Sequence, residues 1–177
     1  MDDQGGRPFL RRRIMATLEA VKTIEGVDLQ KIAVLTWCVG ATCATELARM
    51  DTPGFNIRCM ASYHGVFDNA STILDLCQKD DNVRDKSQQT DSPKKQMLIF
   101  HGLQDPLAKI EGAKISLGIF RLCGFDTSFI ELDGANHSFT TPAAACHPTP
   151  EKFGYSKIGA EIAWESTRKT LRNVFNR

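Results

Sequence analysis

The chain has 177 residues, of which 42% are hydrophobic and 24% charged, and its formal net charge is +1. This is the composition of an ordinary globular protein with one core, so we expect a single domain over 1–177. Nothing in it points to nucleic acid or to a membrane: there is no charged footprint, no apolar run long enough to span a bilayer, and no apolar stretch of a secretory signal at the N-terminus.

Six cysteines are spread along the chain without a CxxC pair or the spacing of a metal finger. Several of them lie in apolar runs, where a cysteine behaves as a small hydrophobic residue. We therefore expect reduced thiols and a cytoplasmic protein.

Hydrophobic periodicity predicts a helix at 9–25, with Gly26 as its stop, and then a short apolar strand at 32–37. Three consecutive arginines at 11–13 fall on this helix, and we interpret them as a solvated helix face rather than a binding patch. A second helix follows the strand at once, with apolar residues at 39, 43, 47 and 50.

The rest of the chain continues to alternate between strands and helices. Further strands are predicted at 58–63, 97–101 and 127–132, and further helices at 70–77, 108–123 and 156–175. Residues 79–96 are predicted to form a polar surface loop, and residues 133–154 a second loop. The closing helix has one face that we predict to point inward: Ala160, Ala163, Trp164, Thr167, Leu171 and Val174. The alternation predicts an α/β fold, with a mostly parallel sheet of about four strands and helices on both faces.

The segment TWCVG at 36–40 ends a predicted buried strand and opens a helix of small residues. A nucleophile elbow of the pattern G-x-S-x-G, or its cysteine form, occupies such a junction. Gly40 fits the second glycine position, whereas Thr36 departs from the first. In an elbow, the helix N-terminus favours the thiolate of Cys38, and the backbone N–H of Val39 donates to an oxyanion. The alternative is a buried structural cysteine, which this pentapeptide alone favours.

Two further polar residues come directly after predicted strands. Asp105 follows the strand at 97–101, at the sheet edge where α/β folds place their sites, and it could also cap a helix that begins near Pro106. His137 lies in the loop after the strand at 127–132, and a lone loop histidine is more often a plain surface residue. The order Cys38, Asp105, His137 is however that of a hydrolase triad, with each residue after a separate strand. We therefore predict that His137 takes the thiol proton or holds an ion pair with the thiolate, and that Asp105 orients the imidazole and stabilises its charged form.

The other histidines are predicted to have structural roles. His64 and His101 lie at the ends of strand runs, and we interpret them as core or edge histidines whose polar atoms are satisfied. His147 is interpreted as a loop residue. No histidine pair has helical metal-ligand spacing, so no metal site is predicted.

These motifs resemble the dienelactone hydrolase family of α/β-hydrolases. The resemblance covers roughly residues 28–177 and lies in KIAVLTWCVGAT, SYHG, MLIFHGLQDP, LDGANHSF and the stretch from Tyr155 to Trp164. It implies a hydrolase that cleaves a small-molecule carboxylic ester or lactone through an acyl-cysteine intermediate, without a metal or an organic cofactor.

The chain departs from the family pattern at two places. Family members that hydrolyse dienelactone carry an arginine a few residues after the histidine, whereas Thr140 and Thr141 stand there in this chain. The family also has several strands before the nucleophile strand, whereas about thirty residues precede it here and predict one helix. We therefore expect an N-terminally shortened domain in which 32–37 is an edge strand. The helix at 9–25 could shield this edge, but we expect a homodimer or aggregate before a well-behaved monomer.

The shortened N-terminus leaves a second hypothesis open. The second oxyanion donor usually comes from a loop after an early strand, and one lost donor costs on the order of a hundredfold in rate. The chain could then be a catalytically impaired α/β-hydrolase-like domain that acts through binding.

Overall fold

A computed structural model describes residues 7–80, 83 and 95–176. Its strands are β1 (Ile32–Trp37), β2 (Ile57–Tyr63), β3 (Lys95–Gly102) and β4 (Phe125–Leu132). They form one sheet in the order β1-β2-β3-β4, and every neighbouring pair is parallel. The predicted α/β fold with a four-stranded parallel sheet is confirmed.

Helices cover both faces of this sheet. They are α1 (Pro8–Val21), α2 (Gly40–Arg49), α3 (Ala70–Lys79), α4 (Ile110–Leu122) and α5 (Lys157–Phe175), with a 3₁₀ helix at Pro142–Cys146. On one face α2 and α4 contact the strands, α3 packs on α4, and α1 packs on α2. On the other face α5 contacts β2 and β3. None of the described helices combines the length and the apolar composition that crossing a membrane requires.

The strands β3 and β4 each begin two residues earlier than predicted. Lys95 and Gln96 pair with Phe125 and Asp126 in the parallel ladder, because backbone hydrogen bonding extends a strand whatever the polarity of its side chains. The predicted loop at 79–96 is shorter for the same reason, since its last two residues belong to β3 and its first one ends α3. Residues 81–82 and 84–94 of that loop lie outside the described residues, and Val83 is buried.

The first helix ends at Val21, four residues before its predicted end. The next three N–H groups bond to carbonyls three residues back, from Lys22 to Glu19, Thr23 to Ala20 and Ile24 to Val21. These tighter i→i−3 bonds close the last turn before Gly26, which has a positive φ of 80°.

The prediction of a solvated arginine face is wrong for one of the three arginines. Arg11 bonds through Nε to Glu46 Oε2 at 2.7 Å, and the Glu46 side chain is fully buried. Arg49, also buried, contacts the other Glu46 oxygen at 3.3 Å. Burial of a carboxylate requires such partners, so this ion pair joins α1 to α2. Arg12 and Arg13 are exposed as predicted.

The closing helix α5 begins at a side-chain cap, because Ser156 Oγ accepts a hydrogen bond from the Gly159 N–H at 3.1 Å. Ala163 and Thr167 face inward as predicted. Trp164 was predicted on the same face, but its side chain is 46% exposed. The sheet beneath it ends at β1, so no further strand of the described residues is there to cover the indole.

The strand β1 is an edge of the described sheet, as predicted, since it pairs with β2 alone. Ile32, Ala33, Val34 and Leu35 are only partly buried, and Trp37 is exposed. The first helix packs mainly on α2.

Candidate active site

The chain turns sharply between β1 and α2, and Cys38 occupies the turn. Its φ is +52°, a left-handed conformation that a residue with a side chain rarely adopts. Such strain is expected at a nucleophile elbow, which lifts the side chain above the end of the sheet. A Cβ atom on Gly40 would lie 3.2 Å from Thr36 Cβ, so a side chain at position 40 would require Thr36 to shift by a few tenths of an ångström.

The end of β2 holds this elbow in place. The Cys38 N–H donates to the Tyr63 carbonyl at 3.2 Å, and the Cys38 carbonyl accepts from the Val66 N–H at 3.0 Å. His64, between these partners, also has a positive φ, of 42°. Two strained turns are therefore hydrogen-bonded to each other at the carboxyl edge of the sheet.

Asp105 lies in the turn after β3, and its two carboxylate oxygens have separate roles. Oδ1 accepts from the backbone N–H groups of Leu107 at 2.8 Å and Ala108 at 2.9 Å. Oδ2 lies 2.8 Å from His137 Nδ1. The predicted capping role needs correction, because α4 begins only at Ile110 and Asp105 therefore stabilises a turn rather than the helix itself.

These hydrogen bonds determine the charge state of Asp105. Burial raises the pKa of this carboxyl, but the bonds from His137 and from the two backbone N–H groups outweigh it, so the pKa lies below its ordinary value of 3.8. Asp105 is therefore a carboxylate at neutral pH.

His137 is fixed by backbone contacts on both sides. Its N–H donates to the Lys152 carbonyl at 3.2 Å, and its carbonyl accepts from the Gly154 N–H at 3.0 Å. The histidine loop also lies directly against the end of β3, where a Cβ atom on Gly102 would lie 2.3 Å from the Ala135 carbonyl oxygen. Only glycine allows this approach, which brings the Asp105 and His137 loops together.

The three predicted residues meet at this edge. His137 Nε2 lies 3.1 Å from Cys38 Sγ, and its Nδ1 faces Asp105. The His137 and Asp105 side chains are 1% and 0% exposed, so solvent screens their interaction little. A thiol, an imidazole and a carboxylate in this chain of hydrogen bonds can move a proton from sulfur to the imidazole.

Val39 follows the elbow and precedes the first residue of α2. Its N–H is therefore one of the donors at a helix N-terminus that lack an intrahelical acceptor. This is the position at which a nucleophile elbow presents an oxyanion donor.

His64 is a neighbour of the site that the sequence interpretation treated as a satisfied core residue. Its Nε2 lies 3.2 Å from Thr140 Oγ1, but its buried Nδ1 has no partner among the described residues. Its ring meets the His137 ring edge-on at a centroid distance of 4.7 Å. Burial, and then the charge of His137, lower the pKa of His64 to about 4, so it is neutral at pH 7. Its place directly after β2, at the same edge as the triad, is the signal that could have identified it.

The remaining histidines are farther from this chemistry. His101 is buried, and its Nδ1 has no hydrogen-bond partner among the described residues, so the prediction that its polar atoms are satisfied is also wrong. Burial lowers the pKa of His101. His147 is a loop residue as predicted, and its Nδ1 lies 2.8 Å from Thr149 Oγ1. Within the described ranges, no three histidine, cysteine or acidic side chains are grouped as ligands for a metal ion.

Known proteins resemble this chain in sequence and in structure. An uncharacterized protein of Caenorhabditis elegans is 29% identical over 178 residues, which cover 98% of each chain. Among solved structures, a dienelactone hydrolase-like promiscuous phosphotriesterase from metagenomic libraries superposes with a TM-score of 0.70 at 28% identity. The structure named m3DLH superposes with a TM-score of 0.71 at 25% identity.

These two structures are longer than this chain. The matches cover 96% of this chain in both cases, but only 63% and 62% of the solved chains. The shared part has the α/β-hydrolase fold. The family model of the dienelactone hydrolases matches residues 4–175, and the chain therefore belongs to the dienelactone hydrolase family.

Proposed function

We propose that this member of a hydrolase family cleaves a carboxylic ester or lactone through an acyl-cysteine intermediate. The observation that supports the proposal best is the continuous contact from Asp105 Oδ2 through His137 to Cys38 Sγ, at 2.8 Å and 3.1 Å. Asp105 acts as the orienting acid, His137 as the base and Cys38 as the nucleophile, in the geometry of a Cys-His-Asp triad.

The reaction runs in two halves. His137 Nε2 takes the thiol proton, the Cys38 sulfur attacks the carbonyl carbon, and the oxyanion accepts a hydrogen bond from the Val39 N–H. The C–O bond to the alcohol then breaks, and the alcohol oxygen receives the proton from His137. In the second half His137 removes a proton from water, the hydroxide attacks the thioester, and the acid leaves as Cys38 regains its proton.

The setting of this activity is also a proposal. We place it in the cytoplasm, because six cysteines without a disulfide-type spacing suit a reducing compartment. The partner is a small ester or lactone, with neither nucleic acid nor membrane required. A second copy of the chain is a further expected partner, through the exposed edge of β1.

A burst assay tests the reaction. Mixing the protein with p-nitrophenyl acetate should release about one equivalent of p-nitrophenol per chain in a fast phase, followed by slower turnover. Pretreatment with iodoacetamide, or the change Cys38→Ala, should remove both phases. The change Cys146→Ala is the matched control, because that thiol is exposed and lies outside the triad. A burst that survives in Cys38→Ala would disprove the acyl-cysteine step.

One observation favours a catalytically impaired domain as the alternative. The nucleophile strand β1 is an edge of the sheet, and no strand among the described residues lies beyond it to position a loop with a second oxyanion donor. The active hydrolase and the impaired domain would differ in the second half of the reaction, the hydrolysis of the acyl-cysteine. An impaired domain would acylate at Cys38 without turnover, and intact-mass spectrometry would find the acetyl adduct stable for hours. Paraoxon is a useful second probe, because one solved relative is named as a promiscuous phosphotriesterase.

A further inference from the structure

A cavity of about 300 Å³ lies beside the triad, between the ends of β1 and β2 and the helix α5. Its lining consists of Trp37, Tyr63, Thr140, Ala160, Glu161 and Trp164. This volume is at the lower end of the range for sites that hold a small molecule, and most of the lining is apolar, as in such sites.

Two half-exposed indoles form the walls of this cavity. Trp37 is 44% exposed and Trp164 is 46% exposed. They are also the only two tryptophans of the chain. Together the two indoles form a concave apolar surface that is open to solvent, on which an apolar group of a ligand can be buried.

One of these walls is rigid. Trp37 stacks on Tyr63 at a centroid distance of 5.0 Å, and Tyr63 stacks on Phe100 at 5.3 Å. The Tyr63 hydroxyl is hydrogen-bonded to Thr167 Oγ1 of α5 at 2.8 Å. The cavity therefore presents a fixed, flat aromatic surface, which binds a planar ring at little cost in conformational entropy.

The cavity borders the triad on two sides, although neither Cys38 nor His137 lines it. Trp37 directly precedes Cys38, so their Cα atoms are about 3.8 Å apart. Thr140 contacts His64, whose ring meets that of His137. The cavity therefore adjoins the chain segment that carries the thiol and the residue that contacts His64.

Among the described residues, the lining offers no cation to an anionic ligand. Glu161 is its one charged side chain, and the nearest cation to Glu161 is Lys157 on the exposed side of α5, at 3.9 Å. An anionic ligand would meet a carboxylate and no lining cation. An uncharged ring would meet two indoles without electrostatic cost.

We infer that this cavity binds an uncharged planar aromatic group, and that the substrate of the proposed reaction is an ester or lactone that carries one. The statement about the substrate rests on the proposed function, whereas the binding of the aromatic group does not.

Tryptophan fluorescence tests the binding directly, because both tryptophans line the cavity. Titration of the full chain with phenylacetamide should change the emission in a saturable way. Phenylacetate should bind about tenfold more weakly, and acetamide should have no effect.

The change Glu161→Gln should recover much of the phenylacetate binding. Trp164→Ala should weaken phenylacetamide binding about tenfold, read from Trp37. Ile158→Ala, also exposed on α5 but outside the cavity, is the control.

Kinetics separates this inference from the proposed function. With ethyl phenylacetate, Trp164→Ala should lower kcat/KM about tenfold, and with ethyl acetate it should change little. If neither ester is cleaved but phenylacetamide binds selectively, the proposed function fails and the aromatic site stands. If esters are cleaved but phenylacetamide leaves the fluorescence unchanged, or binds no better than phenylacetate, the aromatic site is wrong and the hydrolase stands.

Discussion

At the scale of single residues, the reactivity of Cys38 can be compared with that of the other thiols of the chain. Limiting iodoacetamide near neutral pH should label Cys38 first, because His137 can accept its proton. Cys146 is exposed and serves as the internal reference. Cys59 should react last, since burial raises the pKa of its thiol to about 11. Peptide mapping by mass spectrometry gives the order, and earlier labelling of Cys43, Cys59, Cys123 or Cys146 would contradict the assignment of the nucleophile.

Asp105 should be needed for rate and not for the fold. In Asp105→Asn the amide oxygen can still accept the two backbone N–H bonds of the turn, but an amide cannot stabilise the charged imidazole. The loss in kcat should be about 10⁴-fold. Circular dichroism should find the melting curve nearly unchanged, and Asp133→Asn, in an exposed loop, should have near-normal kcat.

The alanine variants test whether the residues act as one unit. Asp105→Ala combined with His137→Ala should cost little more activity than the worse single change, because the carboxylate acts only through the imidazole. Strictly multiplicative losses in kcat would mean that the two residues work independently.

The buried His64 should make the protein less stable in acid. Its pKa is about 4 in the folded chain, because of burial and the nearby His137, against an ordinary value of 6.5. The unfolded chain therefore binds more protons between these values, and folding stability should be full above pH 6.5 and fall as the pH drops towards 4, by about 3 kcal/mol. His101, whose pKa is also lowered, acts in the same direction.

Urea unfolding between pH 7 and pH 4.5 measures this effect. His64→Asn should flatten the dependence of the unfolding free energy on pH, since asparagine does not titrate and tolerates the positive φ at this position. His147→Asn, in the loop, should keep the wild-type slope. An unchanged slope in His64→Asn would assign the acid sensitivity to other groups.

At the scale of the elements, the contact between α1 and α2 depends on the buried Glu46. In Glu46→Gln the Arg11 and Arg49 side chains lose the charged oxygens that they contact on Glu46, and the Glu46 side chain is fully buried between the two helices. The free energy of unfolding should fall by about 3 kcal/mol. Glu19→Gln removes an exposed pair with Lys22 and should cost under about 0.5 kcal/mol. If urea denaturation gave the same loss of unfolding free energy for both variants, the buried ion pair would stabilise the protein no more than the exposed one.

At the scale of the whole molecule, the two edges of the sheet are protected differently. The edge strand β4 carries Asp126 and Glu131, whereas β1 has no charge, proline or glycine in IAVLTW. Charges discourage pairing between edges, so we expect copies of the chain to associate through β1. Light scattering after size exclusion should give a mass above 19.6 kDa that rises with concentration.

A pair of lysine variants locates the association. Ala33→Lys, on β1, should return the mass to that of a monomer, and Thr127→Lys, on β4, should leave the association unchanged. Thermal melts of both variants control for unfolding. A wild-type chain that stays monomeric at all concentrations would show that β1 is shielded in solution.

The sequence by itself determined the order of the strands and α-helices and indicated the three polar residues that meet at the edge of the sheet. A short apolar run and a period-3.6 pattern are local properties, so IAVLTW and the stretch after Gly40 could be assigned as strand and helix without a structure. The triad residues were accessible for a related reason, since each directly follows a strand and parallel strands end at one edge. Their catalytic roles remain proposals.

Tertiary structure alone decided what meets across elements far apart in the chain. The Arg11–Glu46 pair joins residues 35 positions apart, and the contact of His64 with His137 depends on two strained turns that no periodicity encodes. The exposure of Trp164 was mispredicted because helical spacing gives a side chain's direction but not what lies opposite it. Burial depends on the neighbouring layer, and the layer beneath Trp164 ends at β1.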